Sequence, residues 1–330
     1  MKPTWSDFSI AGRGFLMGAA DIVPGVSGGT VALIVGIYDR LLAAISHFDT
    51  ELIRLAARRQ WRSVADHIDL RFLLTLGAGI GSGVVSLAGV MHHLLEHHLS
   101  LTFAAFFGLI LASGVLVGRM CRVASTAAAV QAFVIGIIAA LAAVGLVSQP
   151  AFAAGTGLGY TFFCGAIAIC AMILPGVSGS YLLVLLGMYE PITGLIKSLP
   201  KGQITGADVL TLAVFAAGCL VGLITFSKFL KWLLATSWTP TMAALCGFMI
   251  GSLVKIWPFQ RVDPSILPDH QTLALKEKLV AMRPYWPESF DGHTWSCVAV
   301  ALTATALVLI ADFVAKRSKR NAATGRPTAG

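Results

Sequence analysis

The sequence predicts an all-α polytopic membrane protein that contains two inverted-topology repeats. The chain has 330 residues, of which 56% are hydrophobic and only 12% are charged; a soluble domain carries about twice that charged fraction. Several apolar runs reach the length of about 20 residues at which a helix crosses a bilayer. In addition, a short motif occurs twice, as PGVSGG at 24–29 and as PGVSGS at 175–180. The loop charges, described below, are the third observation behind this prediction.

The two motifs belong to a longer internal duplication. At an offset of 151 residues (175 − 24), six residues of the first copy recur in the second: Gly25, Val26, Ser27, Gly28, Gly36 and Tyr38 match Gly176, Val177, Ser178, Gly179, Gly187 and Tyr189. Further along, the offset falls to 139 residues (247 − 108), because the first copy carries a longer polar arm at 54–71. We predict five regions: repeat 1 at 8–120, a connecting span in 121–157, repeat 2 at 158–256, an extracytoplasmic loop at 257–293, and a last span with a basic tail at 294–330.

Each motif divides an apolar region into a shorter arm before it and a longer arm after it. The arms are 10–20 and 31–45 in the first copy, and 160–174 and 182–196 in the second. Because the first arm is too short to span a bilayer, we predict that each pair forms a re-entrant helical hairpin. Each repeat adds two transmembrane helices, and a connecting and a C-terminal transmembrane helix complete the fold, with spans near 72–91, 100–119, 130–148, 209–227, 239–256 and 295–314. Three spans separate the hairpins, and this odd number inverts the second copy.

The basic residues of the loops support this topology independently. In the scheme above the other side receives the mixed-charge 257–293 loop, and the side with most of the basic residues is the cytoplasmic one by the positive-inside rule. The residues on that side are Arg54, Arg58, Arg59, Arg62, Arg71, Arg119, Arg122, Lys228, Lys231, Lys316, Arg317, Lys319 and Arg320. Both termini are therefore expected in the cytoplasm, and the first residues read as part of the mature protein because they show no convincing cleavage site. The net charge of +8 indicates membrane topology and no nucleic-acid partner.

The paired motifs are expected to form an anion-binding site. Irregular backbone within a membrane occurs where it is buried in protein or lines a cavity, and a new helix N-terminus offers N–H groups and a positive dipole end to an anion. We expect the two motifs to meet near the middle of the membrane and to bind a phosphate or carboxylate through Ser27, Gly28, Gly29, Thr30, Ser178, Gly179 and Ser180. The alternative is that the motifs are helix kinks packed closely through small residues.

Four ionisable residues near the hairpins extend this hypothesis, since charges within a membrane are costly and usually functional. Arg13 lies in the first arm and is expected to face the same cavity as a phosphate ligand. Asp21 precedes the first motif, where it is suited to cap the helix, to pair with Arg13 or to carry a proton. Asp39 and Glu190 are further candidates for coupling, although their positions suggest a hairpin mouth or an interface.

Two other patterns in the sequence suit chemistry different from anion binding. GVSGG fits the nucleophile pattern G-x-S-x-G, but all eight histidines fall in loops or at predicted span ends, so no base is expected near the serine and no enzymatic activity is predicted. HHLLEHH at 92–98 places His93 and His97 one helical turn apart beside Glu96, a spacing that suits a metal. A solvated or pH-responsive turn is the interpretation we adopt, with no metal or other cofactor. The six cysteines read as packing residues.

The segments GAADIVPGVSGGTVALIVGIYDRLL and MILPGVSGSYLLVLLGMYEPI resemble a bacterial membrane family, formerly a domain of unknown function, whose members are regarded as polyprenyl-phosphate (undecaprenyl-phosphate) transporters. The resemblance implies that this lipid carrier, released on the outer leaflet of the inner membrane during cell-envelope and peptidoglycan synthesis, is returned to the cytoplasmic leaflet. It also implies that the partners are the lipid itself and the surrounding membrane lipids, with an oligomer possible. From the residues alone, a transporter of a small soluble anion and a structural scaffold remain alternatives.

Overall fold

The computed structural model describes residues 5–21, 27–149, 155, 157–176, 178–199, 205–262 and 282–323, together with their side chains except at 5, 197, 262 and 315–323. The motif residues Pro24, Gly25, Val26 and Val177 lie outside the described residues, as does much of the predicted 257–293 loop.

The described chain is almost entirely helical. In chain order its elements are α1 (Trp5–Asp21), α2 (Gly28–Ile34), α3 (Tyr38–Ser46), α4 (Thr50–Ala57), α5 (Trp61–His67), α6 (Leu70–His97), α7 (Leu99–Gly118), α8 (Thr126–Val147), α9 (Leu158–Ile173), α10 (Gly179–Leu185), α11 (Tyr189–Ser198), α12 (Gly206–Thr236), α13 (Trp238–Ser252), a 3-10 helix (Leu253–Ile256), β1 (Gln260–Val262), β2 (Met282–Pro284) and α14 (Gly292–Ala323). The two short strands pair antiparallel.

Within the described residues, six helices are long and apolar enough to cross a membrane: α6, α7, α8, α12, α14 and α13 with its 3-10 extension. The prediction of an all-α polytopic membrane protein is confirmed. The helices α6, α12 and α14 run well past the predicted spans, to 28, 31 and 32 residues. Hydropathy marks only the apolar stretch of a helix, and these three helices continue into polar sequence at one end or both.

The longer arm of each hairpin, predicted over 31–45 and 182–196, consists of two helices with a break between them. The helices α2 and α3 meet at 117°, and α10 and α11 meet at 114°. Gly36 and Gly187 stand at the two breaks with positive φ angles of 71° and 68°, which is the left-handed region that favours glycine. Both breaks are therefore encoded by glycines that the duplication places in equivalent positions.

The hydrogen bonds at the two breaks are also equivalent. Ile37 N–H donates to the Ala32 carbonyl at 3.0 Å, and Met188 N–H donates to the Leu183 carbonyl at 2.9 Å. This bond, from the second residue beyond the helix back across the last turn, is the Schellman motif that ends a helix at glycine. Each partner in the second copy lies 151 residues after its counterpart (188 − 37 and 183 − 32).

The first helix of each hairpin packs along the long helix that follows it, α1 on α6 and α9 on α12. The approach is so close that a Cβ at Gly79 would lie 2.2 Å from the Ala11 carbonyl oxygen, and one at Gly218 would lie 2.1 Å from that of Phe162. Such contacts between small residues hold helices together in lipid, where burial of apolar surface gives little driving force. The duplicated glycines thus make duplicated contacts.

The other spans pair across the two copies, α7 with α14 and α13 with α8. A Cβ at Gly108 of α7 would lie 2.1 Å from the Ala301 carbonyl oxygen, and one at Gly247 of α13 would lie 2.1 Å from that of Gly136. Because Gly108 and Gly247 are equivalent, α8 and α14 have equivalent partners. This correspondence favours a repeat unit of three spans, in which the connecting and last spans are each the third span of a copy.

The predicted polar arm at 54–71 contains the end of α4, all of α5 and the beginning of α6. Asp49 caps α4 by accepting a hydrogen bond from Leu52 N–H at 3.0 Å, and its carboxylate also lies 3.1 Å from His67 Nε2. Burial raises the pKa of Asp49, but its hydrogen bonds and the nearby His67 together lower it more, so the pKa lies below its usual range. The arm is therefore a folded helical segment.

Candidate functional site

The first tip, defined as residues 24–30, leads into the N-terminus of α2. Ser27 is the N-cap of this helix, and its Oγ accepts a hydrogen bond from Gly29 N–H at 3.1 Å. Asp21, the last residue of α1, accepts a hydrogen bond from Gly28 N–H at 2.6 Å. A carboxylate thus already occupies the positive end of α2, which is the position at which we expected an external anion.

The second tip, defined as residues 172–180, leads into α10 in a different way. Ser178 has the extended backbone of an N-cap residue, but within the described chain its side chain caps no N–H group. Instead, the Ser178 hydroxyl lies 2.9 Å from that of Ser180. The two copies therefore differ at the predicted anion site: the N-terminus of α2 is closed by Asp21, whereas that of α10 carries two hydroxyls bonded to each other.

The two tips contact each other directly. The Ser27 hydroxyl donates to the Met172 carbonyl at 3.2 Å, and Gly176 N–H donates to Thr30 Oγ1 at 2.9 Å. Both bonds join groups about 145 residues apart in the chain. The structure therefore brings the duplicated motifs together, as their symmetry predicts.

Two further contacts fix the first tip against the second. The Tyr38 hydroxyl donates to the Ile173 carbonyl at 3.0 Å, although Tyr38 belongs to the next helix of the hairpin, α3. A Cβ at Gly29 would lie only 2.7 Å from the same carbonyl oxygen. Glycine at this position is thus needed for the close approach of the two backbones.

Three of the four hydroxyl-bearing residues of the tips are buried, and Ser180 is half-buried. Ser27 is 2% exposed, Thr30 is 1% exposed and Ser178 is 7% exposed. The hydroxyls of Ser27 and Thr30 hold the tips together in this conformation, so neither is available to a ligand until the tips separate. The structure describes a closed arrangement of the two motifs.

The remaining predicted residues lie at or beyond the edge of this junction. Arg13 is half-buried on α1, about 12 Å before Asp21 along the helix axis, and no hydrogen bond or ion pair in the described chain joins it to a tip hydroxyl. Asp21 is a local helix cap, one of the roles expected for it. Asp39 and Glu190 are exposed in the first turns of α3 and α11, where a negative charge stabilises the helix end.

Two features near the tips were missed in the sequence. Lys255, in the 3-10 helix after α13, is 7% exposed, and a single lysine in the apolar run GFMIGSLVKIW was the available signal. Gly176 has a positive φ of 91°, and a Cβ there would lie 2.8 Å from Met249 Cα and 3.0 Å from Ser252 Oγ. The second tip therefore packs on the end of α13, a contact between distant segments that no local pattern reveals.

The histidine-rich segment lies at the end of α6 and the beginning of α7. His92 Nε2 is 3.2 Å from a Glu96 carboxylate oxygen, and the rings of His93 and His97 stack with centroids 4.3 Å apart. No group of three or more potential ligands is arranged to hold a metal ion among the described residues. Nothing in this geometry gives the segment a role in the site at the tips.

A helical membrane domain with two broken helical segments whose polar ends meet inside it is typical of membrane transport proteins. The sequence profile of the undecaprenyl phosphate translocase-like family matches residues 17–273, and the chain belongs to this family. The matched range includes both tips. The family is one of transporters, so the prediction that this chain is not an enzyme is confirmed.

Two relatives carry the name polyprenyl-phosphate transporter. The chain is 41% identical over 249 residues to the protein from Vibrio cholerae serotype O1, which covers 75% of this chain and 77% of that protein. It is 32% identical over 257 residues to the protein from Staphylococcus aureus, which covers 74% of this chain and 84% of that protein. No solved structure matches the chain.

Proposed function

We propose that this protein translocates polyprenyl phosphate, and specifically carries undecaprenyl phosphate from the outer to the inner leaflet of the bacterial cytoplasmic membrane. The lipid would then be reused in the synthesis of cell-envelope glycans such as peptidoglycan. Membership of the translocase-like family and the names of the two relatives support this substrate. The observation that carries the mechanism is the contact between two duplicated polar tips inside an apolar helical domain.

The orientation follows from the charges of the loops. The arm that contains α4 and α5 exposes Arg58, Arg59 and Arg62, and these residues are expected to face the cytoplasm with both termini. The two copies would then be inverted relative to each other, which suits alternating access, because one copy can rock against the other around a fixed site.

The phosphate would be bound between the tips, by Ser27, Gly28, Gly29 and Thr30 of the first and by Ser178, Gly179 and Ser180 of the second. Opening of the transporter would break the bonds from Ser27 to Met172 and from Gly176 to Thr30, and the released donors would turn to the phosphate oxygens. Arg13 would meet the phosphate on its way past α1. The prenyl chain would remain in the bilayer, so the site needs an opening toward lipid.

Asp21 is the first candidate for coupling transport to a proton gradient. Its carboxylate and the lipid phosphate compete for the same N–H groups at the start of α2. Protonation of Asp21 would remove its charge and favour binding of the phosphate, and release of the phosphate would restore the capped state. Asp39 and Glu190 are secondary candidates, because both are exposed at the beginning of a helix.

The test is a translocation assay with purified protein in liposomes that carry radiolabelled undecaprenyl phosphate on one leaflet. We expect protein-dependent movement to the other leaflet, and loss of that movement in the double variant Ser27→Ala, Ser178→Ala. Ser86→Ala is the matched control, because Ser86 is exposed on α6 far from the tips in sequence. Movement that survives in the double variant would contradict the proposed site while leaving the function intact.

The small-anion alternative predicts a different pattern in the same liposomes. The wild-type protein would then move no lipid under a pH gradient of either sign, but would accumulate a soluble phosphate or carboxylate. A structural scaffold would move neither kind of substrate.

A further inference from the structure

Lys255 is a buried cation at the end of a membrane span. It lies in the 3-10 helix Leu253–Ile256, which extends α13 and completes the apolar segment Trp238–Ile256. Only 7% of the residue is exposed. A charge in such a segment is costly, and where one is retained it usually serves binding or transport.

The contacts of Lys255 place its ammonium group beside the start of α10. The Nζ atom lies 5.2 Å from the centroid of the Tyr181 ring and 3.4 Å from the Met282 carbonyl oxygen. Tyr181 follows Ser180 directly in the first turn of α10, and its own hydroxyl is anchored to the Val147 carbonyl at 2.9 Å. Lys255 is therefore next to the helix whose N-terminus carries the two serines of the second tip.

The residues just before Lys255 pack against the second tip as well. Ser252 lies one 3-10 turn before Lys255, and residues three apart in such a helix lie nearly above one another. Ser252 Oγ is 3.0 Å from the position of a Cβ at Gly176. Two separate contacts thus connect the element that carries Lys255 to residues on both sides of Ser178.

An apolar cavity of about 360 Å³ adjoins the same 3-10 helix. Leu253, Val254 and Trp257 line it from the side of Lys255, and Tyr285 and Trp286 line it from the segment after β2. The guanidinium of Arg261 lies 5.8 Å from the centroid of the Tyr285 ring, and Lys255 follows the lining residue Val254 directly. An apolar cavity with two cations next to its lining residues is complementary to a lipid that has an anionic end.

We propose that Lys255 binds the phosphate of the transported lipid at the second tip, together with Ser178 and Ser180, while the first isoprene units occupy the adjoining aromatic cavity. This inference rests on the proposed function for its lipid. The anionic end of this lipid is a phosphate monoester, and lysine binds such a group with a compact charge and three N–H donors. The site would receive the lipid on the side of the β1–β2 hairpin, and the phosphate would pass from there to the junction of the tips.

Binding to the purified full-length protein in detergent tests the proposal. Affinity is measured by displacement of radiolabelled undecaprenyl phosphate with unlabelled undecaprenyl phosphate, undecaprenol or inorganic phosphate. We expect Lys255→Met to weaken binding of undecaprenyl phosphate at least about tenfold, because a charge-assisted contact is lost. Lys255→Arg should retain most of the affinity, and Lys228→Met, at an exposed lysine of α12, should retain all of it. Undecaprenol should bind weakly and equally to all variants.

The melting temperature without ligand separates binding from a structural role. Methionine keeps most of the length of the lysine side chain and removes the cost of keeping a charge out of water, so we expect Lys255→Met to melt no lower than the wild type. An unchanged affinity in Lys255→Met would overturn the proposal. A loss of affinity shared by Lys255→Arg and accompanied by a lower melting temperature would also overturn it, because the loss would follow the fold.

The same data separate this proposal from the proposed function. Wild-type protein that binds undecaprenyl phosphate independently of Lys255 contradicts the assignment of Lys255 alone. Wild-type protein that binds inorganic phosphate through Lys255 but does not bind the lipid contradicts the lipid function and the isoprene site in the cavity, and it retains Lys255 as an anion ligand only. Wild-type protein that binds neither contradicts both.

Discussion

Asp21 caps α2 at the place where the proposed phosphate would bind, and it is also the first candidate for proton coupling. The cap on Gly28 N–H satisfies a donor that would otherwise be unpaired at the start of α2. The same contact holds a negative charge at the place where the proposed phosphate would bind. A helix cap and a transport residue are therefore compatible roles for this carboxylate.

Asp21→Asn separates these two roles. The amide oxygen can still accept the hydrogen bond from Gly28 N–H, so the fold should be retained, but the side chain no longer carries a proton or competes as an anion. We expect lipid movement in liposomes to become independent of the imposed pH gradient.

The comparison for this prediction is Asp39→Asn, at an exposed carboxylate of the same hairpin. This variant should keep the gradient dependence of the wild type. A gradient response that persists in Asp21→Asn and disappears in Asp39→Asn would transfer the coupling role to Asp39.

The broken hairpin is the element that distinguishes this fold from a bundle of straight spans. The break depends on the backbone at Gly36 and Gly187, because a Schellman ending needs a residue in the left-handed region. Each break reorients the chain so that a new helix begins at a tyrosine, and Tyr38 returns its hydroxyl to the opposite tip. Gly36 thus sets the direction of α3, from which Tyr38 contacts the opposite tip.

Gly36→Ala and Gly187→Ala should each lower the stability of the protein by about 1–2 kcal/mol, which is the cost of a left-handed conformation for a residue with a Cβ. At Gly36 nothing lies within 4 Å of the added Cβ, so the backbone alone causes the effect. Gly77→Ala, in the interior of α6 with equally open space, should be neutral or stabilising. Thermal unfolding in detergent measures all three, and equal shifts at Gly36 and Gly77 would contradict the explanation.

At the scale of the whole molecule, the duplication is visible in the packing. Equivalent glycines meet equivalent helices, and α7 and α13 each pair with the third span of the other copy. The two copies therefore pack against each other through these spans and through the tips. A movement of one copy against the other would change the contact between the tips.

The proposed inverted orientation of the copies predicts the side of the membrane on which each loop is exposed. A cysteine at Arg58 and one at Trp286, both exposed positions, should lie on opposite sides of the membrane. In a background without the six native cysteines, a membrane-impermeant maleimide applied to intact spheroplasts should label Trp286→Cys at once and Arg58→Cys only after permeabilisation. Labelling of both from the same side would contradict the topology.

Composition, hydropathy and internal repetition were sufficient to predict a polytopic helical protein, its six spans and the two motifs, because these properties depend on local sequence and on the length needed to cross a bilayer. The meeting of the tips was predictable from the repeats. The bonds that join Ser27 to Met172 and Thr30 to Gly176 were not, since each connects residues about 145 positions apart.

Only the tertiary structure decided which of the predicted site residues already have a hydrogen-bond partner within the protein. In the structure, Asp21 accepts a hydrogen bond at the N-terminus of α2, and Arg13 makes no bond to a tip hydroxyl within the described residues. The buried Lys255 lies beside Tyr181 of α10. The reason is physical: a buried polar group must find a partner, and the identity of that partner depends on the packing of distant helices. The sequence by itself determined the class of protein and its repeated plan, and the packing determined the chemistry of its centre.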